Sequence, residues 1–169
     1  MDNITRPTEI LKAEHQAVLG KLDALEGAIN DLEHREKVSP GLKELAAFFD
    51  TEFWVHFDKE EQALFPEFDN FMPRGAGPLA AMIDEHEVLR NTNAVIQPAV
   101  ARYLSHDDSA ETRQVIVENG MHFIETLRAH ISKEDGLLFS MAEMHLNQSQ
   151  NEKVVKLFAE VEKAAGNRT

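Results

Sequence analysis

The chain has no cysteine among its 169 residues, which excludes disulfides, iron–sulfur clusters, thiolate zinc sites and a cysteine nucleophile. It is also short of positive charge: 17 Lys and Arg face 30 Asp and Glu, for a net charge of −13. Such a balance argues against a surface that tracks nucleic-acid phosphates and against binding to an anionic membrane. No apolar run approaches the roughly 20 residues needed to span a bilayer. The stretch Met1–Ile10 is polar and lacks the apolar segment of a signal peptide. The expectation is a soluble, acidic, cytoplasmic protein with no nucleic-acid and no membrane partner. Trp54 and Tyr103 are the only residues of their types, and nothing in the sequence makes either redox-active.

Several catalytic signatures are missing too. There is no Gly-x-Ser-x-Gly elbow, no glycine-rich phosphate loop and no His-Glu-x-x-His pair, so no motif points to a hydrolase or a transferase. The Glu-x-x-His triplet of ferritin-like di-metal bundles does not occur either. No segment sustains a two-residue alternation between turns, so no sheet is expected.

What is present is helical periodicity. A first helix is expected from Pro7 or Thr8 to Leu32, with the stripe Leu11, His15, Val18, Leu22, Leu25, Ile29, Leu32. A second opens with Ser39 as N-cap and Pro40 at its first position, and carries Leu42, Leu45, Phe49, Phe53, His56, Glu60 and Leu64. Pro66 and the segment Asn70–Pro78 should close it. A third runs from about Pro78 through Leu79, Met82, His86, Leu89, Asn93 and Ile96, and Pro98 should end or kink it. A fourth begins after Asp107–Ser109 with Ile116, Gly120, Phe123, Leu127, His130, Glu134, Leu137 and Met141. Asn147–Gln150 reads as a loop and Val154–Ala165 as a short amphipathic fifth helix. The fold class is therefore all-α: an antiparallel up-down-up-down four-helix bundle with a C-terminal helix. No linker divides the chain, so residues 1–169 are expected to form one domain, with the bundle over about 8–146 and the last helix over about 150–165.

His15, His56, His86 and His130 each lie on the apolar stripe of a different helix. The midpoints of successive pairs are 35.5, 71 and 108, and they fall in the polar stretches Glu33–Ser39, Asn70–Pro78 and Ser105–Ser109. Antiparallel helices folded about those points bring the four histidines to one level. Two histidines carry a glutamate four residues on, His56 with Glu60 and His130 with Glu134, and this spacing places both side chains on one helical face. A single core histidine is usually no more than a satisfied polar residue. Four at one height, with two carboxylates one turn away, make a cage. Four imidazoles and two carboxylates exceed one tetrahedral zinc and suit two metals, each with two histidines, if both carboxylates bridge. Imidazole and carboxylate without thiolate favour iron, with manganese or zinc as substitutes.

The other polar residues read differently. His34, His106 and His145 read as solvated, and His122 is left outside the ligand set because it lies about 80° around its helix from His130. Glu61 and Asp135 follow the proposed ligands and face outward or support them. Glu14, Glu85 and Glu87 flank ligands and are expected to face solvent.

These residues resemble the hemerythrin-like, or HHE cation-binding, family from Ile10 to about Leu146. The pieces that carry the likeness are Lys12-Ala13-Glu14-His15, His56-Phe57-Asp58-Lys59-Glu60-Glu61 before Leu64-Phe65-Pro66, Asp84-Glu85-His86-Glu87, and His130-Ile131-Ser132-Lys133-Glu134-Asp135 before Leu137-Leu138-Phe139. The resemblance implies an antiparallel four-helix bundle around a non-haem di-iron centre. His15, His56, His86 and His130 would be terminal ligands, and Glu60 and Glu134 would bridge two irons together with an oxo or hydroxo group. Oxygen-carrying hemerythrins resemble a site with a fifth histidine one turn beyond the third, where this chain has Arg90. A guanidinium has no lone pair to offer a metal. Arg90 is expected at the bundle edge, its head in water or paired with a carboxylate.

The four-His, two-Glu set looks closer to the iron-centre repair and nitric-oxide-responsive branch, although this chain lacks the cysteine-bearing N-terminal domain such proteins often carry. The resemblance thus implies binding of, or reaction with, dioxygen, nitric oxide or peroxide in oxidative or nitrosative stress, with an electron donor as partner. Oxidation, rather than a long-lived oxygen adduct, is the expected outcome with dioxygen. The alternative is iron storage, donation or sensing, in which metal occupancy is itself the output.

Overall fold

A computed structural model describes residues 5–73 and 75–167. Met1–Ile4, the start of the segment lacking a signal-peptide pattern, and Arg74, within the expected turn Asn70–Pro78, lie outside the described residues. All regular structure among the described residues is helical: α1 Pro7–Ile29, α2 Arg35–Asp50, α3 Phe53–Lys59, a π-helical turn Glu60–Leu64, and α4 Phe65–Phe68. After these come α5 Gly77–Leu104, α6 Ala110–Lys133, a second π-helical turn Glu134–Leu138, α7 Phe139–His145 and α8 Gln148–Gly166. None of these helices is long and apolar enough to cross a membrane.

The long elements pack in a ring, α1 against α2 and α6, and α5 against α2 and α6. Their stripes meet in two separate apolar clusters. One gathers Val18, Leu22, Leu42, Phe49, Phe53, Leu89, Ile116, Phe123 and Leu127. The other gathers Leu11, Leu64, Phe65, Phe68, Leu79, Phe139 and Ala142, together with Val154 and Phe158 from α8.

Several helix boundaries differ from the sequence expectation. The helix assigned to Ser39 and Pro40 begins at Arg35 instead, so the first turn of the chain is Asn30–His34 and not Glu33–Ser39. Arg35 anchors that start, donating from Nε to the Tyr103 carbonyl and from Nη2 to the Leu104 carbonyl, both at 3.0 Å. Ser39 is no cap, because its hydroxyl donates back to the Arg35 carbonyl. That second segment is also not one helix. It breaks at Thr51–Glu52, where the Trp54 indole donates to the Phe49 carbonyl at 2.9 Å.

Pro66 does not close the segment. It is the second residue of α4, and the helix continues to Phe68. The preceding turn is already widened: the Phe65 amide reaches back five residues to Glu60. A missing amide in the first turn after that opening interrupts little. Pro98 does not end α5, which runs on to Leu104. Ala99, Val100 and Tyr103 beyond it are buried, and the Tyr103 hydroxyl donates to the Leu32 carbonyl at 2.7 Å, contacts that offset the lost backbone bond. The expected loop Asn147–Gln150 shrinks to a cap. Asn147 and Gln150 bond each other's backbone amides at 2.9 Å, and α8 starts at Gln148.

Gly120 lets α6 approach α1, since a Cβ built there would overlap the Ile29 Cδ1 methyl. Overpacking of this kind costs about 1–3 kcal/mol, against roughly 1 kcal/mol gained from alanine in a helix. Gly120→Ala should therefore lower the urea midpoint slightly at unchanged m-value, and a higher midpoint would show that Ile29 gives way freely.

Candidate metal centre

Between the two apolar clusters lies a layer of six polar side chains, and it holds all six residues singled out from the sequence. His15 comes from α1, His56 from α3, His86 from α5 and His130 from α6. Glu60 and Glu134 are the first residues of the two π-turns. All six are buried, with Glu60, His86 and Glu134 at 0% exposure.

Each histidine turns its Nε2 inward. The Nε2 atoms of His15 and His56 are 3.0 Å apart, and those of His86 and His130 are 3.2 Å apart. The two carboxylates span both pairs. Glu60 places Oε1 2.9 Å from His56 Nε2 and Oε2 3.1 Å from His86 Nε2. Glu134 places Oε2 3.3 Å from His15 Nε2 and Oε1 2.7 Å from His130 Nε2. The layer thus divides into two ligand groups that share both carboxylates: His15, His56, Glu60 and Glu134, and His86, His130, Glu60 and Glu134. Within each group the ligand atoms lie within 4.8 Å of one another, close enough to hold a metal ion.

None of the four carboxylate oxygens has a hydrogen-bond donor, although all are fully buried. Buried carboxylates without compensation are costly. Burial and the neighbouring Glu134 charge push the Glu60 carboxyl well above the usual carboxylate range, against the pull of His86. Burial acts on Glu134 in the same direction, but its contacts with Glu60, His130, His15 and His86 hold it well below that range. Burial alone would lower the His86 imidazole; Glu134, Glu60 and Glu61 around it instead raise it from 6.5 to about 9. The pair of carboxylates therefore shares a proton, and the imidazoles beside it attract another. A cation between them removes both defects, so the residues fit a metal pair.

Outside this layer each imidazole faces a further carboxylate with its Nδ1, and the helices pass these carboxylates around the ring. Asp135 lies 2.7 Å from His15, Glu14 3.7 Å from His56, Glu61 3.2 Å from His86 and Glu85 2.8 Å from His130. Glu14 and Glu85 therefore do not face solvent as expected. Each points across to the next helix, where an imidazole and a lysine draw it in. Glu87 stays exposed and pairs with Arg90 at 2.6 Å. Arg90 also grips Glu61 at 3.1 and 2.6 Å, so its head is paired while it remains a third exposed. Burial would raise Glu61, but His86 and Arg90 hold its carboxyl down at about 2. One signal for Glu14 and Glu85 was in the sequence: each immediately precedes a stripe histidine. His122 is exposed, and His145 stacks on Phe71 away from the layer.

Aromatic rings close the site from both sides. Phe57 stacks on His86 at 3.7 Å between centroids, Phe65 lies 5.8 Å from the same ring, and Phe139 stacks on His15 at 5.5 Å.

The sequence has counterparts among known proteins. The chain resembles iron-sulfur cluster repair proteins YtfE of Enterobacter sp. (strain 638) and of Salmonella newport (strain SL254), each 30% identical over 112 residues. The match covers 64% of this chain and 51% of the relative, so the chain spans about half the length of the curated relatives it matches. No solved structure matches it. The model of the hemerythrin HHE cation binding domain matches residues 6–142, which include all six side chains of the buried layer, and the chain belongs to that family.

Proposed function

We propose that the chain is a di-iron protein that binds or reacts with dioxygen, nitric oxide or peroxide. His15, His56, His86 and His130 hold two ions, and Glu60 and Glu134 are shared between them. The observation that carries this reading is the set of four donorless carboxylate oxygens, buried between four inward-facing Nε2 atoms. Iron bound there supplies a redox-active Lewis acid at which a small ligand can coordinate and exchange electrons. The nitrogen and oxygen donor set favours iron, and manganese or zinc would be held by the same atoms.

The chain's own residues set the terms. Asp135, Glu61 and Glu85 hold the Nδ1 protons of His15, His86 and His130, which fixes the tautomer that turns Nε2 inward. Phe57, Phe65 and Phe139 exclude water from the imidazoles. Arg90, engaged with Glu61 and Glu87, leaves both ions with two histidines each, which favours reaction over reversible carriage. In this reading the helices form one domain, an up-down-up-down antiparallel bundle with α8 as its C-terminal helix. The name of the relatives supports a role that bears on iron–sulfur centres under stress; a cytoplasmic place and an electron donor as partner belong to the same proposal.

Elemental analysis of anaerobically purified protein tests the reading, with two irons per chain expected and an optical spectrum that changes on adding dioxygen, nitric oxide or peroxide. One ion per chain, with Glu60 and Glu134 replaceable at no loss of metal, sinks the two-metal form. Two irons that ignore all three ligands but pass readily to a chelator would move the reading to iron storage, donation or sensing.

A further inference from the structure

The two halves of the site repeat position for position, so one half serves as a control for the other. Glu14 and His15 correspond to Glu85 and His86. His56, Lys59, Glu60 and Glu61 correspond to His130, Lys133, Glu134 and Asp135. In the α5–α6 half, Glu85 sits 2.8 Å from His130 Nδ1, and its other oxygen takes the Lys133 ammonium, whose side chain is 49% exposed.

The other half differs because α8 lies over it. There the side chain of Lys59 is only 4% exposed. Its ammonium bonds Glu162 of α8, lies 5.8 Å from the Phe158 ring of α8, and reaches both oxygens of Glu14, at 3.0 and 3.4 Å. Glu14 is then 3.7 Å from His56 Nδ1, too far for a hydrogen bond, and this nitrogen has no hydrogen-bond partner. His56 alone of the four imidazoles has its carboxylate beyond hydrogen-bond distance. The helix responsible begins at Gln148, after the span 6–142 matched to the family.

We propose that α8, acting through Glu162 and Lys59, is a positioning element that holds Glu14 away from His56 and makes the His15–His56 metal position the weaker of the two. The proposal rests on the reading that the six buried side chains hold two ions. A carboxylate on Nδ1 orients a ligating imidazole and raises its basicity, and losing such a partner typically costs about 10–100-fold in metal affinity. Released from Glu162, Lys59 has the freedom of Lys133 to take a single oxygen of Glu14, and the other oxygen can return to His56.

Glu162→Gln tests this, with Glu160→Gln as a charge control on an exposed site of the same helix. In metal-free protein labelled with 15N-histidine, the His56 Nδ1 resonance should move toward that of His130 in Glu162→Gln and stay put in Glu160→Gln. In iron-loaded protein a chelator should remove metal in two phases, and Glu162→Gln should slow the faster one about tenfold. An unmoved His56 resonance, or equal movement of all four histidines, overturns the proposal even if two irons bind. Failure to bind metal at all would overturn the reading of the site, while the resonance of the metal-free protein still decides whether α8 positions Glu14.

Discussion

Metal-free protein should lose roughly 3 kcal/mol of stability as the pH rises from 6.5 to about 9, the gap between the ordinary and the folded value of His86. The direction follows from linkage. The folded state binds the His86 proton more tightly than the unfolded chain does, so the contribution is fully present below 6.5 and disappears as the pH passes through about 9. Glu60 acts in the same direction, because its raised carboxyl favours the folded state while protonated, and that contribution fades as the pH rises above the usual carboxylate range. Glu134, held low, acts elsewhere; its contribution is lost only as the pH falls below the usual carboxylate range. Chemical denaturation in the presence of chelator, from pH 6 to pH 10, measures the slope. A flat profile would mean that His86 is neutral among its carboxylates. Metal requires the neutral imidazole, so binding at pH 7 should expel this proton, and affinity should climb about tenfold per pH unit up to about 9. Proton release into weak buffer on adding ferrous ion reads this directly.

Glu60→Gln should have opposite effects on the metal-free and the loaded protein. Without metal, it removes a carboxyl whose ionisation both burial and the Glu134 charge oppose, and stability at pH 8 should rise by about 1–3 kcal/mol. With metal, it deletes a ligand shared by both ions. Loss of an outer partner of a ligand already costs about 10–100-fold, so loss of the ligand itself should cost more and leave at most one ion per chain. Differential scanning calorimetry with and without iron shows both: a higher Tm for the metal-free variant, and little or no further gain on loading. A variant that is less stable without metal would mean that the Glu60 carboxylate has a donor in solution.

The gathering of these side chains was legible in the sequence because the i, i+4 rule acts within one helix: His56 and Glu60, or His130 and Glu134, share a face whatever surrounds them. Glu14 and Glu85 were not legible, because their partners lie on other helices. Judged on its own helix, each points off the apolar stripe; only the packed ring shows that this direction leads to His56 and His130. The misplaced start at Ser39 and Pro40 has a similar origin. Their local start signal is good, but Arg35 holds the chain to the Tyr103 and Leu104 carbonyls, a contact across 68 and 69 residues that periodicity cannot register. Pro98 was judged by the backbone bond it removes, while the burial of Ala99, Val100 and Tyr103 decides the outcome.

The two π-turns, Glu60–Leu64 and Glu134–Leu138, fall where one apolar cluster gives way to the other. An α-helix advances about 100° per residue, and a wide turn slips that phase once. Counted at 100° per residue, Phe65 and Phe68, or Phe139 and Ala142, would lie well round the helix from the histidine stripe above, and the wide turn takes up one surplus residue and brings them back to it. Deleting one residue from either turn should therefore return that ligand-bearing rod to plain α-helix with Phe65 and Phe68, or Phe139 and Ala142, still in the interior. The layer of six polar side chains thus sits at a splice in each rod, where one spare residue is absorbed so that the cores above and below stay aligned.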